Sequence, residues 1–532
     1  MRANVSIAAT AAIAACLATA PISGGQQRPG FVVEEATIAT IHAAMRSGSL
    51  TCRGLVEHYL RRIEAYDKQG PAINSLVEIN GSARDEADAL DRRFKSGGLS
   101  GPLHCIPTIV KDNFETIGLQ SANGSLALKG FISTKDAYQV RRIKEAGAIV
   151  LAKSNMAEWA FTPYETVSSI LPGYTKNPYV LDRVTAGSSG GTAAAIAANF
   201  GAVGLGSDTG NSIRGPSSHQ ALAGIRSTMG LTSRGGVIPL SSLADVAGPM
   251  TRTLTDAVAM LQVISASDSD DPVTVPGTPE ARAWSPAGRP TAFREFALSL
   301  RADALKGARI GVLRQAYERD TLDQEIGQIF LAAVEDMRKA GAVIVDPARV
   351  DLSSAQRPQG VGPCGGFKYD INRYLASHGD RVPVKSLEEI IRSRRFHPSV
   401  QRRLEQSQEG AANGIDSPAC VAEAEYRQKV RAAVLSVMDE QKLDVLVYPT
   451  WSNPPRLIGD LNTPHGDNSQ FFSPTTGFPS INIPMGYTRG SLPAGITFFG
   501  RAWDEPTLIA VAYSYEQQTQ HRRPPATTPP LR

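Results

Sequence analysis

Residues 187–214 read GSSGGTAAAIAANFGAVGLGSDTGNSIR, and this stretch decides the fold class. A glycine-serine turn opens the apolar run Ala193 to Ala198, which reads as a buried helix. Ala202-Val203-Gly204-Leu205-Gly206 then reads as a short strand feeding a polar loop that ends at Ser212 and Arg214. A helix delivered directly into a strand is the local unit of an α/β body.

The same rhythm extends to both sides. Upstream, Thr37 to Asp67 carries two helical patterns, with Ile38, Ile41, Ala44 and Met45 on one face and Leu55, Tyr59, Leu60 and Ile63 on the next. Ile106, Ile109 and Val110 form an apolar segment that ends at Lys111-Asp112. Asp136 to Ala146 is a further amphipathic helix, stopped by Gly147, and Ala148 to Ala152 reads as a buried strand. Downstream, Ser267 to Pro290 is rich in Asp, Pro and Gly and reads as a long surface connection. Strand (Ile310 to Leu313), helix (Gln324 to Lys339) and strand (Ala342 to Val345) follow, a βαβ order that implies parallel pairing. A helix over Ala422 to Gln441 leads into Leu443 to Val447. Ser480 to Pro484 and Ile496 to Phe499 are late strands, and Glu505 to Thr519 is the closing helix. No internal repeat interrupts the pattern. It predicts α/β architecture in a single large domain over residues 31–521, with a mixed central β-sheet covered by helices on both faces. Residues 522–532 form a Pro-rich tail expected to fray.

Composition narrows the function. With 55 basic against 51 acidic residues the net charge is only +4, and no Lys/Arg block is long enough to suggest a nucleic-acid partner. At 42% hydrophobic residues the chain can bury a large core. Arg2 followed by the Ala-rich run Val5 to Ala20 reads as an export signal over residues 1–20, too short and small-residue-rich for a transmembrane span. Ile13-Ala14-Ala15-Cys16 offers a rival reading, a lipoprotein box that leaves Cys16 lipidated. Either way the expected location is secreted or periplasmic. Cys52, Cys105, Cys364 and Cys420 remain, and their spacing is compatible with two disulfides or with buried free thiols.

Three short motifs carry chemistry: Lys111-Asp112, Gly187-Ser188-Ser189-Gly190-Gly191, and Asp208-Thr209-Gly210-Asn211-Ser212-Ile213-Arg214. Amide hydrolysis needs a nucleophile, a base, donors for the oxyanion and an acid for the leaving amine. Ser212 stands in a turn whose Gly210 and Asn211 tolerate the backbone angles that expose successive N–H groups. A lysine at the end of a buried strand loses hydration, which favours the neutral amine and a base role. Each motif alone has a plainer explanation: a polar turn, a Lys–Asp surface pair, a glycine-rich loop. The Gly-Ser turn is no P-loop, because no Gly-Lys-Ser/Thr follows. It also fits Gly-x-Ser-x-Gly, with Ser189 as a nucleophile and His465 as a base, but the residues before it read as a loop and not as the strand an elbow requires.

Taken in this order, with Gly101-Pro102-Leu103-His104-Cys105-Ile106-Pro107 ahead of Lys111, the motifs resemble the amidase signature family. Ser188 and Ser212 are 24 positions apart, the spacing of that family's two triad serines. The late segments Leu492 to Ile496, Phe498-Phe499-Gly500 and Tyr515-Glu516-Gln517 look most like bacterial peptide amidases, which hydrolyse carboxy-terminal amides of peptides. The resemblance implies the amidase signature fold and a catalytic set of Lys111, Ser188 and Ser212. Ser212 would be acylated, and Ser188 would pass its proton to Lys111 across a cis Gly187–Ser188 bond. Thr209, Gly210, Asn211 and Ser212 would supply oxyanion N–H groups. Ser189 would orient the triad, and Asp208 with Arg214 would brace the loop. No cofactor or metal is implied. The expected partner is a small-molecule or peptide amide, with the protein a monomer or homodimer.

Three positions depart from the family pattern. Cys105 and Ala186 stand where glycine is usual, and Asn211 replaces a second glycine, where its side chain is expected to crowd or hydrogen-bond the oxyanion site. His104 and His219 are expected to be packed or exposed, with no catalytic part. Within the family there are two alternatives: an aryl acylamidase or esterase, and a glutaminase like the amide-hydrolysing component of a transfer-RNA amidotransferase. Outside that catalytic scheme stand the Ser189 hydrolase and a binding protein without catalysis.

Overall fold

Eleven strands among the described residues pair into one mixed sheet: β1 (Leu76–Ile79), β2 (Pro107–Lys111), β3 (Ile149–Ser154), β4 (Val203–Asp208), β5 (Ala223–Arg226), β6 (Val246–Thr251), β7 (Arg309–Val312), β8 (Val343–Val345), β9 (Val445–Pro449), β10 (Ser480–Thr488) and β11 (Leu492–Phe499). The computed structural model describes residues 31–284, 289–290, 295–357, 364–410 and 417–531. Across the sheet the order is β1-β3-β2-β4-β6-β5-β10-β11-β9-β7-β8. β2 runs parallel to β3 and β4, and β7 runs parallel to β8 and β9; the other pairings are antiparallel. β2, β3 and β4 are buried along their whole length, as parallel strands covered on both faces must be.

Two large apolar clusters follow from this order. One packs Ile109, Ile149, Ala194 and Val203 around the half of the sheet holding β1 to β4. The other packs Ile310, Val447, Ile483, Phe498 and Tyr515 around the half holding β7 to β11. A third, smaller cluster joins Phe131 and Trp159 to Phe367, Leu387 and Leu404, from three helices spanning Phe367–His378, Leu387–Ser393 and Gln401–Gln408. The molecule is therefore a single large α/β domain.

The amphipathic helices lie where periodicity puts them, at Ile38–Arg46, Cys52–Tyr66 and Gln324–Lys339, and the closing helix spans Glu505–Thr519 as read. The region 267–290 expected to be plain connection contains a 3₁₀ turn at Pro272–Thr274 and a helix at Pro279–Trp284. The last two strands are longer than the sequence suggested. They form a hairpin whose register slips between Pro484 and Gly486, where proline and glycine had read as the end of a strand. The tail is corrected outright: it is tied down and not frayed. Arg522 is ion-paired with Glu35 at 2.7 Å, and Arg62 donates to the Thr528 and Pro529 carbonyls at 2.7 and 3.0 Å.

The four cysteines among the described residues are paired, Cys52 with Cys105 and Cys364 with Cys420. The proposed signal and Cys16 lie outside the described residues. No helix among the described residues is long and apolar enough to cross a membrane.

Candidate active site

Parallel pairing of β2 with β4 brings the carboxyl ends of both strands side by side, so Lys111 at the end of one meets residues at the end of the other. Lys111 is fully buried. Its Nζ donates to Ser188 Oγ at 2.7 Å, to Ser207 Oγ at 2.9 Å and to the Ser207 carbonyl at 3.3 Å. Burial pushes the amine down to about 7, against the pull of the Asp245 and Asp208 charges.

Ser188 is held from several sides. The Gly187–Ser188 peptide bond is cis. Gly187 N–H donates to the Pro163 carbonyl at 2.8 Å, and the Ser188 carbonyl accepts from Ala157 N–H at 3.1 Å. A methyl group at Gly187 would stand 2.5 Å from the Glu165 carbonyl, so only glycine fits. Ser189 donates its backbone N–H to the Ser212 carbonyl at 3.3 Å, which ties the two serine loops together. Ser189 Oγ is engaged with the backbone of Ser207, donating to its carbonyl at 3.1 Å and accepting from its N–H at 3.4 Å.

Ser212 is 5% exposed whereas Lys111 and Ser188 are at 0%, so of the three it is the one that faces outward. Its loop is braced from below. Arg214 reaches Asp208 with both Nε and Nη2 at 3.1 Å, and Arg226 adds a third contact to that carboxylate at 3.0 Å. Burial would raise the Asp208 carboxyl, yet the two guanidinium groups outweigh it and hold it down to about 2. Arg214 also fixes the Gly210 carbonyl at 2.6 Å, and the Asn211 carbonyl accepts from Gly215 N–H at 2.7 Å. The Gly210, Asn211 and Ser212 carbonyls are thus occupied. No acceptor among the described residues takes the N–H of Thr209, Gly210, Asn211 or Ser212, so four successive backbone donors are unpaired.

The Asn211 side chain packs toward Gly215, where an added methyl would lie 2.6 Å from its Nδ2. Both of its amide atoms are buried without a partner. Cys105 and Ala186, the other departures, have φ of 60° and 59°, the left-handed region that glycine enters most easily. No hydrogen bond joins His465 to Ser189: His465 Nδ1 accepts from Asp467 N–H at 3.1 Å, and its ring lies 4.0 Å from Tyr164. His219 is buried against Trp451 at 4.6 Å, and burial together with the Arg456 charge pushes it down to about 3. His104 is buried too.

Sequence reasoning missed Ser207, Asp245 and Arg226. Ser207 completes the oxygen shell of Lys111 and also accepts from Asn113 Nδ2 at 2.9 Å. Asp245 accepts from Thr209 Oγ1 at 2.5 Å. Only Ser207 left a signal, a polar residue at the end of a strand that the βαβ order sets beside β2. Among the described residues no group of three or more His, Cys, Asp or Glu side chains is placed to hold a metal ion.

Comparison with known proteins places this geometry in context. The family model described as Amidase matches residues 54–509. A probable amidase from Arabidopsis thaliana is 32% identical over 515 residues, 93% of this chain and 92% of the plant protein. A glutamyl-tRNA(Gln) amidotransferase component from Acinetobacter baumannii is 31% identical, with 91% of this chain and 96% of that one aligned. Among solved structures, the native peptide amidase from Stenotrophomonas maltophilia superposes with a TM-score of 0.80 at 35% identity, covering 92% of this chain and 98% of its own.

Proposed function

Because this chain belongs to the amidase family and is an amide-hydrolysing enzyme, we propose that it cleaves carboxy-terminal amides of peptides through an acyl-enzyme on Ser212. The observation that carries the reading is the buried Lys111 amine 2.7 Å from Ser188 Oγ. In its neutral form that amine accepts the Ser188 hydroxyl proton while Ser188 Oγ takes the proton of Ser212. Ser212 Oγ then bonds to the carbonyl carbon, and the N–H groups of residues 209–212 receive the oxyanion. The proton returns through Ser188 to the leaving nitrogen, the C–N bond breaks and ammonia departs. Water attacks the acyl-enzyme by the same relay, releasing the peptide acid and restoring Ser212. An ester would pass through the same steps.

Ammonia release from peptide amides, anilides and fatty amides, assayed with wild type and Ser212→Ala, tests the reading. Release from peptide amides, lost in the variant, is the expected result. Preference for anilides would replace it with an aryl acylamidase, and retention of acylation by Ser212→Ala would remove the mechanism. A second reading, a glutaminase like the amidotransferase component, draws support from that 31% identical relative. Ammonia release from free glutamine, exceeding that from peptide amides, would favour it.

Export is part of the proposal. Two disulfides that pair all four cysteines beyond the leader support an oxidising compartment. Fractionation of cells, with sequencing of the mature amino terminus, distinguishes cleavage near Ala20 from lipidation at Cys16.

A further inference from the structure

Arg456 is a guanidinium withdrawn from solvent without an anion. It is 7% exposed, and its Nη1 donates to the Thr463 carbonyl at 3.3 Å. No carboxylate among the described residues lies within ion-pair distance of it, although a buried charge is normally paired. Glu165 and Asp460 are near enough to feel its charge, but neither bonds to it: Glu165 is pushed towards its neutral form by burial, and Asp460 accepts from the backbone of Asn462 and Thr463.

Its neighbours connect it to the reacting serines. The guanidinium stands 5.3 Å from the centroid of the Tyr164 ring. Tyr164 belongs to the segment whose Pro163 and Glu165 carbonyls press on Gly187, the residue before Ser188. The Arg456 carbonyl accepts from Val184 N–H at 3.0 Å, three residues before that glycine. On the other side, Trp451 donates from Nε1 to the Gly215 carbonyl at 3.1 Å, next to the Ser212 loop, and stacks on His219. His465 bridges the two, 4.0 Å from Tyr164 and 6.4 Å from Trp451. Burial, with the Arg456 charge adding to it, lowers both His219 and His465, so neither imidazole adds a second positive charge at neutral pH. An aromatic wall thus runs from the two serine loops to one uncompensated cation.

We propose that Arg456 is a specificity-determining residue that binds a carboxylate on the acyl side of the substrate, so that this enzyme selects acidic peptide amides. The inference rests on the peptide-amide reading above. A planar guanidinium preset on an aromatic face offers parallel N–H donors that a carboxylate matches and a carboxamide matches with only one oxygen. The unmet donors also penalise a substrate that leaves them dry.

The test uses N-acetylated tripeptide amides that carry one Glu, or its isostere Gln, at each position in turn. Wild type is expected to favour Glu over Gln at one position by about tenfold in kcat/KM. That ratio falls to about one in Arg456→Gln and recovers in part in Arg456→Lys, which keeps the charge without the fork. Equal rates for every Glu/Gln pair in wild type, or a ratio unchanged in Arg456→Gln, overturn the inference. If Arg456→Gln does not fold, Arg456→Lys carries the comparison. If wild type hydrolyses none of the peptides, the same pairs are titrated calorimetrically onto Ser212→Ala and onto Ser212→Ala/Arg456→Lys. Glu-selective binding weakened by the second change upholds Arg456 and rejects peptide-amide turnover. Equal binding of Glu and Gln rejects Arg456.

Discussion

Lys111 is a cation taken out of water and given only three oxygens in return, from Ser188 and Ser207. Burial therefore lowers its amine from the ordinary 10.5 to about 7, although Asp245 and Asp208 pull the other way. A base is useful once it is neutral, so kcat/KM for amide hydrolysis is expected to rise tenfold per pH unit below about 7 and to level off above it. Lys111→Arg, which stays charged at every accessible pH, should lower the plateau by about 10²–10⁴. An ascending limb near pH 10, or an active arginine variant, would remove Lys111 from the role of base. The same shift bears on stability. The unfolded chain holds this proton up to 10.5 and the folded one releases it near 7, so Lys111 makes stability increase with pH across that interval.

At the scale of elements, the site is set by how close one helix comes to two strands. The helix Gly190–Ala197 starts directly after Ser188 and Ser189, and its Thr192 Oγ1 lies 2.7 Å from Ser154 Oγ at the end of β3. A methyl at Gly191 would stand 2.2 Å from the Asn155 carbonyl and 2.7 Å from that of Ser75, both backbone atoms that cannot swing away. Gly191→Ala is therefore expected to lower the free energy of urea unfolding by about 1–3 kcal/mol. It should also reduce kcat, because the helix start carries the serine loop; full activity and unchanged stability would mean the contact is slack. This approach also explains what the sequence could disclose. Gln324–Lys339 was legible from period alone, since it buries one face and leaves the other wet. Glu505–Thr519 is buried or half-buried on every side, with only Gln518 exposed, so its apolar run and not its period marked it. The candidates Lys111, Ser188 and Ser212 could be picked out because their motifs are local runs, and the strand order brings Lys111 to Ser188. β6 was not, because Gly248-Pro249 falls inside a central strand, opposite Leu205, where proline ordinarily argues against pairing. Asp245 and Arg226 were hidden for a related reason: their partners Thr209 and Asp208 are remote in sequence, and only the strand order brings them together.

At the scale of the whole domain, the segment from Arg522 onward is clasped against Glu35 and Arg62. Arg522 donates to both carboxylate oxygens of Glu35, at 2.7 and 2.9 Å, and to the Ala221 carbonyl at 2.8 Å. Arg62 clasps the tail beside it and also donates to the Ala198 and Asn199 carbonyls, at 3.0 and 3.1 Å. The tail thus seals the end of the helix that begins at the serine loop. Two disulfides, joining cysteines 53 and 56 positions apart, add covalent closure worth about 4 kcal/mol each by loop entropy. Burial alone would raise the Glu35 carboxyl, but Arg522 holds it at about 2, so wild type keeps this contribution at neutral pH and loses it as pH falls from about 4.5 through 2. Arg522→Ala removes the bonded counter-charge and leaves Glu35 with Asn199 as its side-chain partner, at 3.0 Å, and with the weaker pull of the Arg252 charge, both smaller than the effect of burial. With a third of the Glu35 side chain still in contact with water, the expected loss at pH 7 is about 2–3 kcal/mol, below that of a fully buried pair. The sign of the pH dependence should reverse as well. Once desolvation dominates, the folded variant binds the Glu35 proton more tightly than the unfolded chain, so this site destabilises the variant as pH climbs from about 4 to 7. Urea unfolding of wild type and Arg522→Ala between pH 4 and 7 reads both effects, and parallel curves would show that the tail holds by packing and backbone hydrogen bonds without this ion pair.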